Sequence, residues 1–484
     1  MELESLQPNI VWKHFYDLNQ VPRPSKKEEK VIAFMKKFGK DLGLETLIDD
    51  CGNVLIKKPA TKGFEQKQTI VLQSHLDMVH QKNEGVEFDF DKDAIQMFIE
   101  GDWLKAKGTT LGADNGIGTA ISMAVLSSKD IEHGPIEALF TIDEETGMTG
   151  AFGLKPGFVK GDIMLNLDSE DEGEIYISCA GGLDTNVYKN YKEEKSKPEN
   201  TGLKIVVKGL RGGHSGMDIA SGRGNANKIL SRALLKSYDD FGFQISVIKG
   251  GTARNAIPRE AYAIGSIDKT NYSRFIDFIT KIEKDIFENL KSAEPNFKIE
   301  NEEVENPEFV MENAAQTSII NSIYACPNGV YRMSVEIPDL VETSTNLSKI
   351  NLGNGKMEIN CLNRSSVNSA KLDVALMIEA AFQLCGANVE HTGNYPGWKP
   401  NPNSKMLKEA IKVHEKVMGF SPKIKAVHAG LECGIIGDIY PQLDMISFGP
   451  NIRNAHSPEE MVQISSVEKF WAYFLEVLKA APNK

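Results

Sequence analysis

The chain has 484 residues, and 55 Lys and Arg against 67 Asp and Glu give a formal net charge of −12. This acidic balance disfavours a general affinity for nucleic acid or for an anionic membrane surface. Apolar residues make up 41% and charged residues 25%, as in ordinary globular proteins. No apolar run approaches the roughly 18 residues of a membrane helix, and the first residues lack a secretory signal pattern. We therefore expect a cytoplasmic protein with two large domains or three smaller ones.

The six cysteines are scattered, and none forms a Cys-x-x-Cys pair. This usage does not indicate a disulfide framework, so we expect small buried side chains in a reducing compartment. Any metal site in this chain is therefore expected to use histidine and carboxylate ligands.

The first 185 residues alternate short apolar runs with helical patterns, which is typical of an α/β layer fold. Apolar residues at helical spacing predict helices, and unbroken apolar runs predict buried strands. The predicted elements, in chain order, are a helix over 31–38, a strand over 69–72, a helix over 117–126 and strands over 136–142 and 163–167.

Two polar stretches, 189–200 and 392–404, have the composition of linkers. The segment between them has strand patterns at 203–207 and 356–361 and helix patterns at 226–235 and 374–384. We therefore predict a discontinuous first domain, residues 1–186 and 401–484, interrupted by an inserted domain over residues 187–400.

Histidines and acidic residues follow the predicted strands. His75 and Asp77 lie two positions apart and share one face of an extended segment, so the aspartate can orient a metal-binding imidazole. The alternative for this pair is a purely structural hydrogen bond. Asp168 likewise follows a buried strand, where it could also be an ordinary turn residue.

Glycines surround Asp114 in the segment 108–118, which indicates unusual backbone geometry and close approach of the chain to a small group. A phosphate-binding loop is disfavoured because the segment lacks the Lys-Ser/Thr ending and because the aspartate would repel phosphate. The alternative is an aspartate that caps a helix.

Asp143, Glu144 and Glu145 close the strand predicted over 136–142, where three acidic residues are costly unless solvated or paired with cations. Adjacent glutamates there point to opposite sides, so one can bind a metal while the other faces a water molecule. The spacing does not tell which is which, and a solvated turn is the alternative.

His456 precedes a predicted C-terminal helix, and Ser457 with Glu460 has the spacing of a capping box. An incidental loop histidine is the alternative for His456. Together, the candidates lie at the carboxyl ends of sheet strands, where open α/β folds place their sites. Histidines with carboxylates suit Zn²⁺, with Mn²⁺ or Co²⁺ as substitutes.

Several motifs resemble those of the dinuclear-zinc metallopeptidases that include carnosinases, tripeptidases and succinyl-diaminopimelate desuccinylase. The motifs are SHLDMV, GTTLGADNGIG, DEETGMTGAFGL, NLDSEDEGEIY and RNAHSPEE. The resemblance spans nearly the whole chain and is closest to the aminoacyl-histidine dipeptidase branch. It implies a zinc-exopeptidase-like catalytic domain, with a mixed central sheet flanked by helices, and an inserted α+β lid and dimerisation domain.

The resemblance also implies roles for the candidate residues. His75 and His456 each bind one zinc ion, Asp114 bridges both ions, and Glu145 and Asp168 complete their shells. Asp77 orients His75, Glu144 is the general base, and a cis peptide bond follows Asp114. Charge supports two ions, because two divalent cations neutralise three carboxylates and one hydroxide.

In the inserted domain, His214 resembles the lid histidine that reaches the partner subunit's active site and stabilises the oxyanion. Asn255 and Arg364 resemble the residues that bind the substrate's C-terminal carboxylate. The alternatives are a β-turn around His214 and a surface ion pair for Arg364. His428 and Glu432 are expected to line the pocket, without an individual role for either.

The implied activity is hydrolysis of unblocked dipeptides, including Xaa-His such as Ala-His or β-Ala-His, by a cytoplasmic homodimer. A deacylase acting on N-acyl amino acids is the alternative, and a non-enzymatic metal-binding protein is disfavoured because every expected position is filled. His80 stands where the family commonly has proline, and it is either a packing residue or an influence on ion preference. The insert is also longer than the lid of simpler relatives.

Overall fold

The computed structural model describes residues 2–484, which divide into two compact units. The first unit comprises the chain up to Ser178, Trp398–Ala426 and Leu431–Lys484. The second unit comprises Cys179–Gly397 and Val427–Gly430.

The α-helices of the described residues follow a short 3₁₀ turn at Glu2–Ser5. They are α1 (Asn9–Asn19), α2 (Glu29–Asp41), α3 (Ala113–Ser127), α4 (Thr149–Gly153), α5 (Ala226–Leu234), α6 (Ser237–Phe241), α7 (Lys269–Leu290), α8 (Asn313–Ala325), α9 (Asn368–Gln383), α10 (Lys405–Met418), α11 (Glu432–Ile439) and α12 (Ile464–Lys479).

The first eight strands are β1 (Glu45–Ile48), β2 (Val54–Lys58), β3 (Ile70–His75), β4 (Met97–Glu100), β5 (Trp103–Ala106), β6 (Ile136–Thr141), β7 (Ile163–Asn166) and β8 (Glu174–Cys179). Those that follow are β9 (Gly181–Asn190), β10 (Glu193–Lys195), β11 (Thr201–Lys208), β12 (Gly213–His214), β13 (Gln244–Gly250), β14 (Ala256–Ile257), β15 (Ala261–Ile267), β16 (Lys298–Val304), β17 (Phe309–Met311), β18 (Gly329–Met333), β19 (Val341–Gly353), β20 (Lys356–Ser365), β21 (Asn388–Tyr395), β22 (Lys423–Val427), β23 (Asp444–Ser447), β24 (Ile452–Arg453) and β25 (Met461–Gln463).

The first unit is built on an eight-stranded mixed sheet in the order β1-β2-β6-β3-β7-β23-β8-β22. Its central strands β6, β3, β7 and β23 run parallel, and every residue of β3, β6 and β7 is buried. Strands buried on both faces are rich in apolar residues, as these strands are, although Gln73, Ser74 and Glu137 are buried polar exceptions. The predicted mixed central sheet is confirmed, and the predicted helices at 31–38 and 117–126 lie within α2 and α3.

The second unit is built on an antiparallel sheet in the order β16-β11-β15-β13-β19-β20-β9-β21, with β18 paired to β19. Its hydrophobic core joins apolar side chains of these strands to those of α5, α7, α8 and α9. This is an α+β arrangement, as predicted. The strands predicted at 203–207 and 356–361 lie within β11 and β20.

The linker prediction for 189–200 is wrong, because this stretch contains the end of β9 and all of β10. Its charged side chains are mostly exposed, and a strand tolerates them there because only one face needs burial. The stretch 392–404 begins inside β21 and is a loop only beyond Tyr395. The second unit accordingly begins at Cys179, where β8 leads directly into β9, rather than at residue 187.

All six cysteines belong to the described part of the chain, where they form no disulfide; five are buried and Cys51 is exposed. Within residues 2–484, no helix has both the length and the apolar character needed to cross a membrane.

Candidate metal centre

Three parallel strands of the first unit end at one edge of the sheet. His75 is the last residue of β3, and it lies opposite Thr141 of β6, three positions before Glu144. On the other side, Gln73 of β3 lies opposite Asn166 of β7, two positions before Asp168. The carboxyl ends of these strands therefore bring the histidine and the acidic residues together, as expected for open α/β sheets.

Asp114 reaches the same edge from the start of α3. The chain before it turns at Gly112, which has a left-handed backbone with φ of 70° that glycine adopts without strain. Asp114 itself has non-helical dihedral angles, and the peptide bond between Asp114 and Asn115 is cis. The predicted cis bond is thus present in the structure.

The side chains form two groups of potential metal donors that share Asp114. One group contains His75, Asp114 and Asp168, and the other contains Asp114, Glu145 and His456, with all donor atoms of a group within 4.8 Å of one another. The Nε2 atom of His75 lies 3.1 Å from Asp114 Oδ1, and the Nε2 atom of His456 lies 3.1 Å from Asp114 Oδ2. Each oxygen of Asp114 therefore serves one group.

The electrostatics of both groups favour cations. Hydrogen bonds that His456 donates to the carboxylates of Asp114 and Glu145 raise the pKa of His456 to about 11. Although burial lowers it, the pKa of His75 is raised well above its usual range by Asp168 and Asp114. The Oε1 atom of Glu145 is also buried without a hydrogen-bond partner. Imidazoles and carboxylates at this spacing are the ligands that Zn²⁺ takes in proteins, so the residues fit such an ion.

Asp77 contacts both His75 and the turn that carries the two glutamates. Its Oδ1 atom lies 3.3 Å from Nδ1 of His75, and its two oxygens accept hydrogen bonds from the backbone N–H groups of Glu144 and Glu145. Ser25 donates a further hydrogen bond to Oδ2. A carboxylate behind a metal-binding imidazole fixes its tautomer and orientation, and here it also holds the turn that carries both glutamates.

The turn after β6 separates the two adjacent glutamates. Asp143 has φ of 53°, and its carboxylate accepts hydrogen bonds from Thr146 and from Thr149. Glu145 lies 2.9 Å from His456, whereas Glu144 belongs to neither donor group. Burial raises the pKa of Glu144 well above its usual range, and the charge of Asp168 adds to this shift.

The other predicted residues lie in the second unit and form a separate cluster. Strand β12 pairs with β14, and Ser215 donates its backbone N–H to the carbonyl oxygen of Asn255 at 2.8 Å. Arg364 is only 5% exposed, so the surface ion pair is wrong for this residue. Its guanidinium lies against Ser215, Tyr395 and His214 at 3.3–3.5 Å. His214, Asn255 and Arg364 are thus brought together.

His214 has a defined tautomer. The backbone N–H groups of Gly216 and Met217 donate to its Nδ1 atom at 3.2 and 3.1 Å. Nδ1 therefore carries no proton, and the neutral imidazole carries its proton on Nε2. Burial lowers the pKa of His214, and the positive charge of Arg364 lowers it further. His214 can therefore act as a neutral hydrogen-bond donor.

Two expectations about single residues can be compared with the structure. Glu460 does not form a capping box with Ser457, because α12 begins only at Ile464 and the carboxylate of Glu460 accepts hydrogen bonds from the backbone of residues 111–114. That prediction is wrong. His80 is exposed, contacts the edge of Phe90 and belongs to neither donor group, which matches the packing interpretation.

Glu432 and His428 are both buried but differ in their surroundings. Glu432 accepts hydrogen bonds from Gln73 and Thr141, both at 2.6 Å, and burial raises its pKa to about 8. His428 is hydrogen-bonded to Ser344 in the second unit, and burial lowers its pKa to about 3. The position of Glu432 among the apolar residues that surround it is a sequence signal for a buried carboxylate.

Comparisons with known proteins agree with this geometry. Residues 71–480 match the model of Peptidase family M20/M25/M40. Over 483 residues the chain is 40% identical to the cytosol non-specific dipeptidase of Escherichia coli (strain K12), with 100% of both chains covered. The crystal structure of aminoacylhistidine dipeptidase from Vibrio alginolyticus has a TM-score of 0.97 at 44% identity and covers 100% of this chain and 99% of that chain.

A more distant structure, aminopeptidase PepT from Bacillus cereus ATCC 10987, has a TM-score of 0.57 at 19% identity and covers 98% of this chain and 99% of that chain. At this identity it shows the fold alone. The fold and the paired donor groups define a metallopeptidase. The chain belongs to Peptidase family M20/M25/M40, which confirms the predicted family and fold.

Proposed function

We propose that the chain is a metal-dependent dipeptidase that hydrolyses unblocked dipeptides, including Xaa-His such as Ala-His and β-Ala-His. The observation that carries the proposal is the pair of donor groups that share Asp114 at the carboxyl edge of the sheet. The names of the two relatives that match along the full chain support a dipeptide as the substrate.

The cofactor we propose is two Zn²⁺ ions per subunit, with Mn²⁺ or Co²⁺ as possible substitutes. His75 and Asp168 would hold one ion, Glu145 and His456 the other, and Asp114 would bind both. When bound, such ions lower the pKa of a water molecule toward neutrality and polarise the scissile carbonyl. Two cations also offset the three partly buried carboxylates of the donor groups.

Glu144 is the proposed general base. Its carboxylate takes the proton of the attacking water and later returns it to the leaving amine of the substrate. Burial raises the pKa of Glu144, which favours uptake of the proton by its carboxylate. Asp77 keeps this geometry by holding the backbone of Glu144 and the ring of His75.

The cluster of the second unit is proposed to recognise the substrate. The Nε2–H group of His214 donates a hydrogen bond to the oxygen that becomes negative in the tetrahedral intermediate. Arg364 and Asn255 bind the C-terminal carboxylate of the dipeptide. Arg364 suits this role because its buried guanidinium is hydrogen-bonded to neutral groups only, which leaves its positive charge available for an anion.

We also propose a cytoplasmic homodimer that forms through the second unit, in which His214 serves the partner's active site. Helix α9 supports this assembly because it exposes an apolar stripe made of Leu372 and Leu376, which lie one turn apart. Large exposed apolar patches are typical of interaction surfaces. Analytical ultracentrifugation of Leu376→Glu beside the unaltered protein tests the assembly, and a dimeric variant would contradict the use of this stripe.

A metal-restoration assay tests the activity. The purified protein is stripped with a chelator, given Zn²⁺, Mn²⁺ or Co²⁺, and offered Ala-His, β-Ala-His, a tripeptide and an N-acetyl amino acid. We expect metal-restored cleavage of the free dipeptides alone. Cleavage of only the N-acetyl compound would instead establish a deacylase, and inactivity with every ion would reject both activities for these substrates.

A further inference from the structure

The segment that leads to Asp114 is held by a carboxylate outside the donor groups. We call residues 111–114 the Asp114 strap. Glu460 is 2% exposed, and its Oε2 atom accepts hydrogen bonds from the N–H groups of Leu111 and Gly112 at 2.7 and 2.9 Å. Its Oε1 atom accepts one from Asp114 at 3.1 Å. One buried side chain therefore satisfies three backbone donors of the strap.

A buried guanidinium also holds the strap. It donates a hydrogen bond to a backbone carbonyl oxygen, whereas Glu460 accepts hydrogen bonds from backbone N–H groups. Arg23 is 1% exposed, and its Nη2 atom donates to the carbonyl oxygen of Gly112 at 2.6 Å and to Asn19 at 3.1 Å. Its Nη1 atom donates to the carbonyl oxygens of Leu76 and Asp77 at 3.1 and 3.2 Å. Arg23 thus ties the strap to the chain that immediately follows His75.

The glycines around Asp114 make room for this guanidinium. A Cβ atom on Gly112 would lie 2.5 Å from Arg23 Nη2, and one on Gly116 would lie 2.6 Å from the same atom. Both distances are too short for a real contact. At Gly112 and Gly116, the group that the glycine-rich segment approaches is therefore the Arg23 side chain.

Burying these charges costs free energy, since a buried ion is tolerated only when its hydrogen bonds are satisfied. The Nε atom of Arg23 nevertheless has no hydrogen-bond partner. Neither Arg23 nor Glu460 belongs to a donor group, and neither has a step in the reaction proposed above. Their shared feature is that they join the three chain segments that carry His75, Asp114 and His456.

We propose that Arg23 and Glu460 are positioning residues that hold the Asp114 strap in its metal-binding arrangement before any ion arrives. The proposal rests on the proposed function only in taking Asp114 as a ligand of both ions. Side chains that support metal ligands typically change metal affinity or activity about 10–100-fold when altered. An effect of this size on ion binding is what the structure leads us to expect.

The first test is the isosteric change Glu460→Gln. One amide oxygen can still accept two N–H groups, but the amide nitrogen cannot accept the third, so the strap loses a contact. We expect Co²⁺ affinity, measured by calorimetric titration of the stripped protein, to fall about 10–100-fold for at least one of the sites. The d–d spectrum of bound Co²⁺ should change as well, because the geometry of Asp114 changes.

A matched control is Glu137→Gln in the same unit. Glu137 is 5% exposed and accepts two backbone hydrogen bonds, from Lys160 and Gly161 at 2.7 and 3.0 Å, but it touches no donor group. This variant should bind Co²⁺ with the affinity of the unaltered protein. Equal Co²⁺ affinity in both variants and the unaltered protein would overturn the proposal, as would a loss of thermal stability in Glu460→Gln without a change in affinity.

Arg23→Lys provides an independent variant, because an ammonium group cannot reproduce the planar fork that reaches three carbonyl oxygens. It should weaken Co²⁺ binding in the same direction. If the two residues act on one strap, the double variant loses less affinity than the product of the two single losses. Fully multiplicative losses would show that they act separately and would reject a shared role.

Hydrogen exchange on the unaltered protein needs no variant. In the metal-free protein, the amides of Leu111 and Gly112 should stay protected, because Glu460 rather than an ion holds them. Loss of their protection on chelation would overturn the proposal. The readouts are independent of turnover, so an inactive protein with variant-sensitive Co²⁺ binding would reject the proposed dipeptidase activity while supporting the positioning role.

Discussion

The metal centre of the first unit and the cluster around Arg364 in the second unit are held in different ways. In the metal centre, buried carboxylates fix the backbone itself: Asp77 and Glu460 accept hydrogen bonds from five N–H groups of the segments that carry donor residues. In the cluster, Arg364 has only contacts of 3.3–3.5 Å to neutral groups. Hydrogen bonds to buried carboxylates hold the backbone of the centre, whereas the cluster leaves the positive charge of Arg364 without an anionic partner.

The two regions should therefore control different kinetic constants. A preformed cage of ligands determines ion affinity and the chemical step, so changes there should lower kcat. An unmatched cation gains a partner only when an anionic group arrives, so changes there should raise KM. Substitutions in the two regions should therefore differ in which kinetic constant they change.

The largest effect is expected for Glu144→Gln. An amide cannot take a proton from water, and general-base catalysis contributes about 10²–10⁴-fold to the rate. We therefore expect kcat for Ala-His to fall by that factor while the bound metal per subunit, measured by atomic emission, stays unchanged. The exposed Glu84→Gln is the control, and a Glu144→Gln protein that loses metal would place Glu144 among the ligands instead.

His214→Ala, which removes the Nε2–H donor, is expected to have the next largest effect. Loss of one donor to a developing oxyanion costs about 10²–10³-fold in kcat, with little change in ground-state binding. Steady-state kinetics on Ala-His should therefore show a lower kcat and a KM within a few-fold of the unaltered value. His80→Gln, which alters an exposed histidine outside both donor groups, should leave both constants unchanged. A rise in KM alone would move His214 from the chemistry to substrate binding.

Arg364→Lys should mainly change substrate recognition. A hydrogen bond to a charged group contributes about 1.5–3 kcal/mol, so we expect KM for a free dipeptide to rise about 10–100-fold. The C-terminal amide of the same dipeptide offers no carboxylate and should be a poor substrate for both proteins. A variant that discriminates between acid and amide as strongly as the unaltered protein would show that Arg364 does not bind the carboxylate.

The smallest effect concerns the scaffold of the first unit. His14 of α1 is hydrogen-bonded to Ser127 at the end of α3, and burial, with a contribution from Lys13, lowers its pKa to about 4. The unfolded chain has a histidine pKa of about 6.5, so between these values the unfolded state binds more protons. The free energy of unfolding should therefore fall as the pH drops from about 6.5 toward 4, by up to about 3 kcal/mol.

Urea unfolding of the metal-free protein and of its His14→Gln variant measures this pH dependence of the free energy of unfolding. The variant cannot titrate at this position. The free energy of unfolding of the variant, relative to that of the unaltered protein, should therefore rise as the pH falls through that range. Parallel stability curves for the two proteins would contradict the assignment to His14.

Much of the fold and the donor set could be predicted from local pattern. Short apolar runs within β3, β6 and β7 identify the buried parallel strands, and the residues at and after the strand ends identify the edge where His75, Glu145 and Asp168 lie. These features are local in sequence. Which of the two adjacent glutamates faces His456 depends on the turn at Asp143, which spacing does not reveal.

The supporting residues could not be predicted in this way. Glu460 contacts Leu111, which lies 349 positions away, and Arg23 contacts Gly112, which lies 89 positions away. Nothing in the neighbourhood of either residue signals such a contact. The spacing of Ser457 and Glu460 is even that of a helix cap, so the local pattern pointed to a different partner for the carboxylate. The linker prediction at 189–200 failed similarly, because composition does not record which strand a polar segment pairs with.

The division of the first unit along the chain has a consequence for protein synthesis. Nearly all of the second unit leaves the ribosome before the segment that carries His456 and Glu460 has been made. Since domains fold as units when their chain is complete, a nascent or truncated product can contain His75, Asp114 and Asp168 but not the second donor group. Translation of the last segment is therefore the step that completes the first unit, because this segment supplies strand β23, His456 and the Glu460 carboxylate that holds the Asp114 strap.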